Sequence, residues 1–382
     1  MRVSASPEAL RRGSIDLENR QYFTDLGWLR ASWELAADGV VVAAGELPLP
    51  DIAHGESATL RLPGWTVPAP DDRELWLTLR FRTAAAQPWA PAGFEVCWAQ
   101  LRLEPGKPEL ERPSVRRAAG AEVKLDGEGL LVHELLAAAP RLSLWRAPTD
   151  NDRMLGLTKL WREWGVDRLS RTLRSIKHEA GAVVVTADAS TESGIVIVHE
   201  ERFEPLDDGG VLVHEMAVIP EELADLARVG VVLEATPGLE QTEWFGRGPV
   251  EAYPDRWHGS PVARWRSTVA DEYVPYVKPQ ENGGHADIRW LELSDGAGRG
   301  FRIVADEPRN MSATHFRASD LAAAKHDVEL TPRPETVIHL DVAHRGLGTA
   351  SCGPDTLAKY LVIPGTYRWS WAIVPLGSDP SA

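Results

Sequence analysis

Short stretches of alternating apolar and polar residues, separated by turn residues, run through almost the whole sequence and limit the folds available to it. Typical stretches are "ELWLTLRFRT", "GIVIVHEERFEPL" and "YRWSWAIVPL". This two-residue period is typical of half-buried β-strands. Helical patterns are short and few: "SPEALRR", "EELADLA" and "SDLAAAKHD". Since strands and helices do not alternate regularly, the pattern excludes an eight-stranded α/β barrel and a doubly wound sheet and predicts an all-β chain.

The length and one break in the pattern predict two domains. At roughly 150 residues per domain, 382 residues suit two large β domains. The stretch "LEPGKPELERPSVRRAAGAE" is rich in proline, glycine and charge and lacks strand alternation. We therefore predict an immunoglobulin-like β-sandwich over residues 1–108, a linker over 109–121, and a larger two-sheet sandwich over 122–382.

Charge and cysteine content exclude several kinds of partner and site. A net charge of -15 argues against nucleic acid and against an anionic membrane surface as partners. Only two cysteines occur, Cys97 and Cys352, far apart and without zinc-binding spacing, so neither a metal site nor a disulfide framework is expected. The sequence shows neither a signal-peptide pattern nor an apolar run long enough to cross a membrane, and a cytoplasmic location is expected.

Tryptophan is unusually abundant, with 15 residues. An indole offers a sugar an apolar face and one N–H donor, whereas a large β-sandwich can also bury many aromatic side chains in its core. Composition leaves both interpretations open.

The densest polar stretch is "LWRAPTDNDR", Leu144 to Arg153. A calcium loop would need alternating acidic positions, a glycine and a distant glutamate, and the consecutive Asp150, Asn151 and Asp152 do not fit. A retaining glycosidase pair is disfavoured because its two carboxylates, roughly 5 Å apart, usually come from separate strands. The favoured interpretation is a structural corner, in which Asp150 caps a turn and Arg146 or Arg153 neutralises the carboxylates.

Three further polar stretches each allow two interpretations. "EWFGRGPVEAYPDRWHGSPVARW" is either the lining of a carbohydrate groove or an ion-paired connection. "YVPYVKPQENGGHADIRWLEL" contains Glu281 and His285, which are either an acid/base pair acting on a sugar hydroxyl or part of a polar loop before a strand. In the last stretch, Ser351, His344 and Asp341 could suggest a catalytic triad, but no G-x-S-x-G elbow accompanies them.

Taken together, these stretches resemble the C-terminal part of bacterial β-galactosidases of glycoside hydrolase family 2, the long LacZ type. The pieces that carry the resemblance are "LWRAPTDND", "WFGRGPVEAYPDRW", "YVPYVKPQENG" and "GLGTASCGPDT", in this order. The N-terminal stretch "SIDLENRQYFTDLGWLRASWELAADGVVVAAGELPLPDIAHGES" is similar to the family's fourth domain. The resemblance implies that the larger sandwich is the galactose-mutarotase-like fifth domain, or small chain.

The resemblance also implies how this chain takes part in catalysis. The family's two catalytic glutamates lie on a TIM barrel that precedes these domains, and their motifs are missing here. We therefore expect no catalytic residue and no cofactor in this chain, with magnesium and sodium in the barrel of the complete enzyme. The expected partners are a barrel-bearing chain or the missing N-terminal domains, a β-galactoside, and further copies in an oligomer. By itself the chain is expected to be inactive. A free-standing carbohydrate-binding or mutarotase-like protein, and an inactive remnant of a truncated gene, are the alternatives.

Three substrate-binding residues follow from the resemblance alone. The segment Arg153 to Gly156 corresponds to a mobile loop at the entrance of the galactose pocket, and Gly156 would supply its flexibility. Arg146 and Asp150 to Asp152 would be the structural anchor of that loop. Cys352 stands near the place where some members have a tryptophan that stacks on the aglycone.

Overall fold

The computed structural model describes residues 1–68, 71–112, 115–118, 122–347 and 353–377. The chain divides into two compact units. The first is Met1–Lys107 together with Val262–Arg264, and the second is Pro108–Pro261 together with Trp265–Ala382. Both units are built mainly from antiparallel strands, so the predicted all-β fold class is confirmed.

In the first unit, the described residues of Met1–Lys107 form seven strands in two sheets. One sheet has the order β1-β2-β5 and the other β4-β3-β6-β7. Strand β3 reads "LRASWELAA", with alternate residues buried as the two-residue period predicts. Side chains from both sheets share one core, to which Leu17, Trp33 and Phe81 contribute. The strands are β1 (Arg2–Ser4), β2 (Ser14–Glu18), β3 (Leu29–Ala37), β4 (Val40–Leu47), β5 (Ser57–Arg61), β6 (Leu75–Thr83) and β7 (Glu95–Glu104).

The second unit is built on one large sheet that branches. Its main path runs β15-β14-β16-β17-β19-β12-β11-β10-β9, and from β17 a second branch runs through β18 and β13 to β8. The strands are β8 (Leu136–Ser143), β9 (Ser170–Glu179), β10 (Ala182–Ser190), β11 (Val196–Pro205), β12 (Val211–Ile219), β13 (Arg228–Ala235), β14 (Gln241–Arg247), β15 (Val262–Thr268), β16 (His285–Ser294), β17 (Gly300–Thr314), β18 (Thr336–His344) and β19 (Gly365–Pro375).

Strand β17 makes the branching possible because it is long enough to pair twice on one side. Its first part, Phe301 to Ala305, pairs with β19, and its last part, Asn310 to Thr314, pairs with β18. Apolar side chains from both branches then enclose one core, including Val213 and Trp371 from one branch and Leu233 from the other. Five tryptophans are among the largest fully buried side chains of the described residues, so much of the tryptophan content serves packing.

Four α-helices occur in the described residues: α1 (Pro7–Arg11), α2 (Asp150–Met154), α3 (Leu157–Trp164) and α4 (Ala318–Ala323). Helices α1 and α4 confirm two of the three predicted helical patterns. The third prediction, a helix over "EELADLA", is wrong. Leu223, Leu226 and Ala227 are fully buried there in irregular chain that leads into β13, so burial overrides helix propensity. No helix in the described parts of the chain is long and apolar enough to cross a membrane.

Candidate functional site

The stretch "APTDNDR" forms the start of α2. The Thr149 hydroxyl accepts a hydrogen bond from the Asp152 N–H (3.2 Å), and the Asp152 carboxylate accepts one from the Thr149 N–H (2.9 Å). This reciprocal pair is a capping box, which satisfies two backbone donors at the helix start. Thr149 is therefore the N-cap residue, and Asp152, at the third helical position, is its partner in the capping box. The predicted capping role of Asp150 is wrong.

Arg146 and Asp152 form a buried, two-pronged ion pair. The Arg146 Nε and Nη2 atoms donate to the two Asp152 oxygens at 3.0 and 2.7 Å, and both side chains are almost fully buried. Burial alone would raise the pKa of Asp152, but the Arg146 guanidinium and the hydrogen bonds from Thr149 outweigh it and hold the pKa below its usual range. Asp152 is therefore an ionised structural carboxylate.

Hydrogen bonds join the segment Arg146–Arg153, which contains this ion pair, to Pro279–Glu281 and to Arg345–Leu347. The three segments are here called the three-segment junction. Arg146 donates to the carbonyls of Arg345 (2.6 Å) and Gly346 (3.3 Å), and Asn151 donates to the carbonyl of Leu347 (2.7 Å). The Glu281 N–H donates to the Ala147 carbonyl at 3.0 Å. The junction therefore holds the backbone immediately before residues 348–352. Cys352 lies outside the described residues, and its predicted role stays a prediction.

The segment from Arg153 to Gly156 is the end of α2 and the turn into α3. Arg153 donates to Asp150 (2.6 Å) and to the Pro279 carbonyl (3.4 Å), and its side chain is partly exposed. Gly156 has a φ of +78°, a conformation that favours glycine, and open space surrounds the position of a Cβ. The predicted anchor residues Asp150–Asp152 run directly into the predicted loop, within which Met154 is exposed.

A buried charge cluster of Arg228, Glu281, Asp341 and His344 adjoins the junction and shares Glu281 with it. Arg228, the first residue of β13, donates to Glu281 at 2.5 Å and lies 3.6 Å from Asp341. His344 bonds through Nδ1 to the Arg345 carbonyl (2.8 Å), and its Nε2 lies 3.8 Å from Glu281. The sequence analysis missed Arg228, because a lone arginine at the start of an apolar strand gives no signal of the carboxylates it will meet.

Glu281 and His285, the alternative acid/base pair of the sequence analysis, have different partners. Burial would raise the pKa of Glu281, but Arg228 and His344 lower it well below its usual range. His285 contacts Glu272 through Nε2, and its ring lies 4.3 Å from that of Trp244. Asp341 and His344 belong to the charge cluster, while Ser351 lies outside the described residues.

The stretch "EWFGRGPVEAYPDRW" is an ion-paired connection. Arg247 donates to Asp287 at 2.6 Å and lies over the Trp257 ring at 3.7 Å. Glu251 contacts Arg256 and accepts a hydrogen bond from the Tyr276 hydroxyl at 2.6 Å. These contacts agree with the structural interpretation of this stretch.

We expect Asp341 to make stability depend on pH. Burial raises its pKa to about 7, although Arg228 opposes the shift. A raised pKa in the folded state stabilises the fold below the unfolded pKa of about 4, and this contribution is lost as the pH rises through 7. Burial lowers the pKa of His344 to about 4. This shift has the opposite effect on stability, because it favours the fold above a pH of about 6.5, the unfolded pKa of histidine.

Replacing Asp341 by asparagine removes the first of these contributions and keeps the second. The free energy of unfolding of Asp341→Asn, relative to the unmodified chain, should therefore rise by more than about 1 kcal/mol between pH 4 and pH 8. Urea unfolding at several pH values measures this difference. Parallel pH profiles for the two proteins would contradict the assignment.

The family comparisons agree with this architecture. Residues 114–373 match the family model described as "Beta galactosidase small chain", and residues 15–104 match "Beta-galactosidase, domain 4". A β-galactosidase from Arthrobacter sp. (strain B7) is 30% identical over 95% of this chain and 40% of its own length. A β-galactosidase from Aeromonas hydrophila is 27% identical over 94% of this chain and 37% of its own.

The chain thus spans about two fifths of the length of these relatives. Among solved structures, a putative aldose 1-epimerase from Escherichia coli K12 is similar at 10% identity with a TM-score of 0.30, covering 78% of this chain and 95% of that one. That TM-score is too low to support a conclusion. The family models and the curated relatives agree along nearly the whole sequence, and the chain belongs to the β-galactosidase family, of which it represents domain 4 and the small chain.

Proposed function

We propose that this chain is the non-catalytic C-terminal portion of a β-galactosidase and that it completes the galactose site formed by a barrel-bearing partner. The three-segment junction is the observation that carries the proposal. It fixes the turn Arg153–Gly156 and the backbone that enters residues 348–352 to one buried ion pair. A turn and the end of a segment from another part of the chain, held at the same point, are suited to shaping the entrance of a site on another domain or subunit.

The charged groups at the junction favour positioning over catalysis. Asp152 and Glu281 are both buried and paired with arginines, and the pKa of each is lowered. A general acid in glycoside hydrolysis needs the opposite, a raised pKa, and a retaining pair must lie across the glycosidic bond roughly 5 Å apart. These two carboxylates therefore suit the role of anchors.

In the complete assembly, the reaction would be retaining hydrolysis of terminal β-D-galactosides. The barrel would supply the acid/base and nucleophile glutamates and would hold the magnesium and sodium ions. This chain would supply entrance loops and assembly contacts, and an oligomer is the expected state of the complete enzyme. We assign no metal-binding role to the residues of the three-segment junction.

Hydrolysis of a chromogenic β-galactoside tests this proposal directly. The purified chain is assayed alone and after mixing with a barrel-bearing N-terminal chain from the same source. Activity in the mixture alone is the expected result. Activity of the chain alone would overturn the proposal, because it would require a carboxylate pair within this chain. Inactivity of the mixture, with a partner chain shown to be folded, would favour a binding protein or an inactive remnant.

Replacing Arg153 by alanine tests the entrance turn. The Arg153–Asp150 pair is partly exposed, so its loss should change stability little. If the turn contacts substrate in the assembled enzyme, kcat/KM of the mixture should fall roughly tenfold, which is the loss of about 1.4 kcal/mol of transition-state binding. The matched control is Arg168→Ala, which removes the ion pairs of a half-exposed arginine with Asp167 and Glu192, outside the turn. Equal activity of both variants would remove Arg153 from the site.

A further inference from the structure

Five aromatic side chains are grouped at one end of the first unit and are here called the aromatic tip: Tyr22, Phe23, Trp28, Trp89 and Phe94. Two loops carry them, residues 19–28 between β2 and β3 and residues 84–94 between β6 and β7. The Trp89 ring lies 6.1 Å from that of Trp28 and 5.7 Å from that of Phe94. The Tyr22 and Phe23 rings lie 6.2 Å apart. The indole N–H of Trp28 joins the two groups, because it donates to the side chain of Gln21 at 3.2 Å.

Most of this aromatic surface is in contact with solvent. Phe23 is 99% exposed, Tyr22 76% and Trp89 60%. The loop of residues 84–94 contains no charged residue. Single exposed apolar side chains are common on soluble proteins, whereas a contiguous group of them usually marks an interaction site. Aromatic residues are enriched, and charged residues depleted, at the centres of protein interfaces.

Hydrogen bonds hold both loops in place without a partner. The fully buried Asn19 donates through its side-chain amide to the carbonyls of Thr24 and Ile52, each at 2.9 Å. The Ala84 N–H donates to the Trp28 carbonyl at 2.9 Å, which ties the start of one loop to the end of the other. A surface whose backbone is fixed in advance loses little conformational entropy when a partner binds, so these loops are suited to recognition.

The ring orientations favour a protein surface over a carbohydrate as the occupant. A sugar chain stacks its successive rings on aromatic faces that point the same way. The Trp89 ring meets that of Trp28 at 75° and that of Phe94 at 89°, so the three faces point in different directions. Phe23, almost wholly exposed, extends into solvent as a single apolar side chain. Aromatic side chains that fill a pocket on the partner are the usual hot spots of protein interfaces.

The first strand indicates which protein can reach the aromatic tip. Strand β1 pairs with β2 so that Arg2 lies opposite Glu18, the residue before the loop of residues 19–28. The chain therefore enters the first unit at the end that carries the tip. In the proposed assembly the barrel-bearing portion precedes this unit, and about three fifths of the length of the curated relatives lies outside this chain. The last residues of that portion would come close to the tip.

We propose that the aromatic tip docks against the barrel-bearing portion of the β-galactosidase, on an uncharged apolar surface with a pocket that receives Phe23. The inference rests on the proposed function, which supplies the partner, and adds where on the first unit this partner binds. The rings of Tyr22, Trp89 and Phe94 contribute apolar contact area around the pocket. The partner surface carries few charges, because the loop of residues 84–94 offers none to pair with them.

Binding of the purified full chain to the barrel-bearing N-terminal chain is measured by titration calorimetry without substrate. Phe23→Ala and Trp89→Ala should each raise Kd at least tenfold, as expected of interface hot spots. Ala92→Glu, at an exposed position of the second loop, should also weaken binding while keeping every ring of the tip. The matched control is Val41→Ala, an exposed apolar residue of β4 outside the tip, which should leave Kd unchanged. Circular dichroism checks that each variant is folded.

Three results would overturn the proposal. The first is equal affinity of Phe23→Ala and Val41→Ala for the barrel-bearing chain. The second is self-association of the unmodified chain in analytical ultracentrifugation that Phe23→Ala abolishes, which would assign the tip to a second copy. The third is retention on soluble galactan that Phe23→Ala abolishes, which would assign the tip to a carbohydrate.

The hydrolysis assay is read separately from binding. An active mixture whose affinity is unchanged in Phe23→Ala would contradict the docking surface alone. Binding that depends on Phe23 in an inactive mixture would contradict the proposed hydrolysis and support the docking surface.

Discussion

Replacing Arg146 by alanine is expected to lower the free energy of unfolding of this chain by about 3–5 kcal/mol. The substitution would leave the Asp152 carboxylate, which is 1% exposed, buried without its counter-ion. It would also remove the hydrogen bonds that Arg146 donates to the carbonyls of Arg345 and Gly346. Urea unfolding of the unmodified chain and the variant, followed by circular dichroism, measures the difference.

Two further variants separate the ion pair from the general effect of removing an arginine. Arg168→Ala removes the ion pairs of a half-exposed arginine with Asp167 and Glu192 and should change stability far less than loss of a fully buried pair. Combining Arg146→Leu with Asp152→Asn removes both charges and should recover part of the loss, because no unpaired ion stays buried. If Arg146→Ala unfolds no more easily than Arg168→Ala, the buried pair does not stabilise the junction.

Replacing Arg228 by methionine is the second large effect, with an expected loss of about 3–5 kcal/mol at neutral pH. Methionine retains much of the side-chain volume but leaves Glu281 without its closest cation. Without Arg228, burial would dominate and raise the pKa of Glu281. The loss should therefore shrink as the pH falls towards 4, where Glu281 can take up a proton.

The same unfolding measurement at pH 4.5 and pH 7.5 checks this dependence. Combining Arg228→Met with Glu281→Leu should restore part of the stability at pH 7.5, since the uncompensated carboxylate is removed as well. A loss that is independent of pH would indicate that Arg228 acts through packing alone. Both arginine variants should also reduce activity of the mixed assembly, because each loosens the residues that hold the entrance segments.

The sequence predicted several parts of the candidate site because they depend on neighbours along the chain. Arg146 and Asp152 are only six residues apart, so their pairing and the structural character of "RAPTDND" could be inferred locally. The helical start was not recognised, because Thr149 and Asp152 form a capping box whose acidic partner is an aspartate. Arg228 was missed because its partners Glu281 and Asp341 are 53 and 113 residues away, and no local pattern records such contacts.

The sequence by itself determined the class of fold. The two-residue period of burial in strands such as β3 and β11 follows directly from alternating side chains, and turn residues mark where those strands end. Motif order along the chain was likewise enough to indicate the family.

Only the tertiary structure decided how the polar residues are grouped. The branching of the sheet at β17, the junction of three distant segments and the charge cluster around Arg228 all depend on contacts between residues far apart in the chain. Whether a buried carboxylate meets an arginine or a histidine depends on which strands lie side by side. That choice is made by the packing of the whole core, which no single stretch of sequence contains.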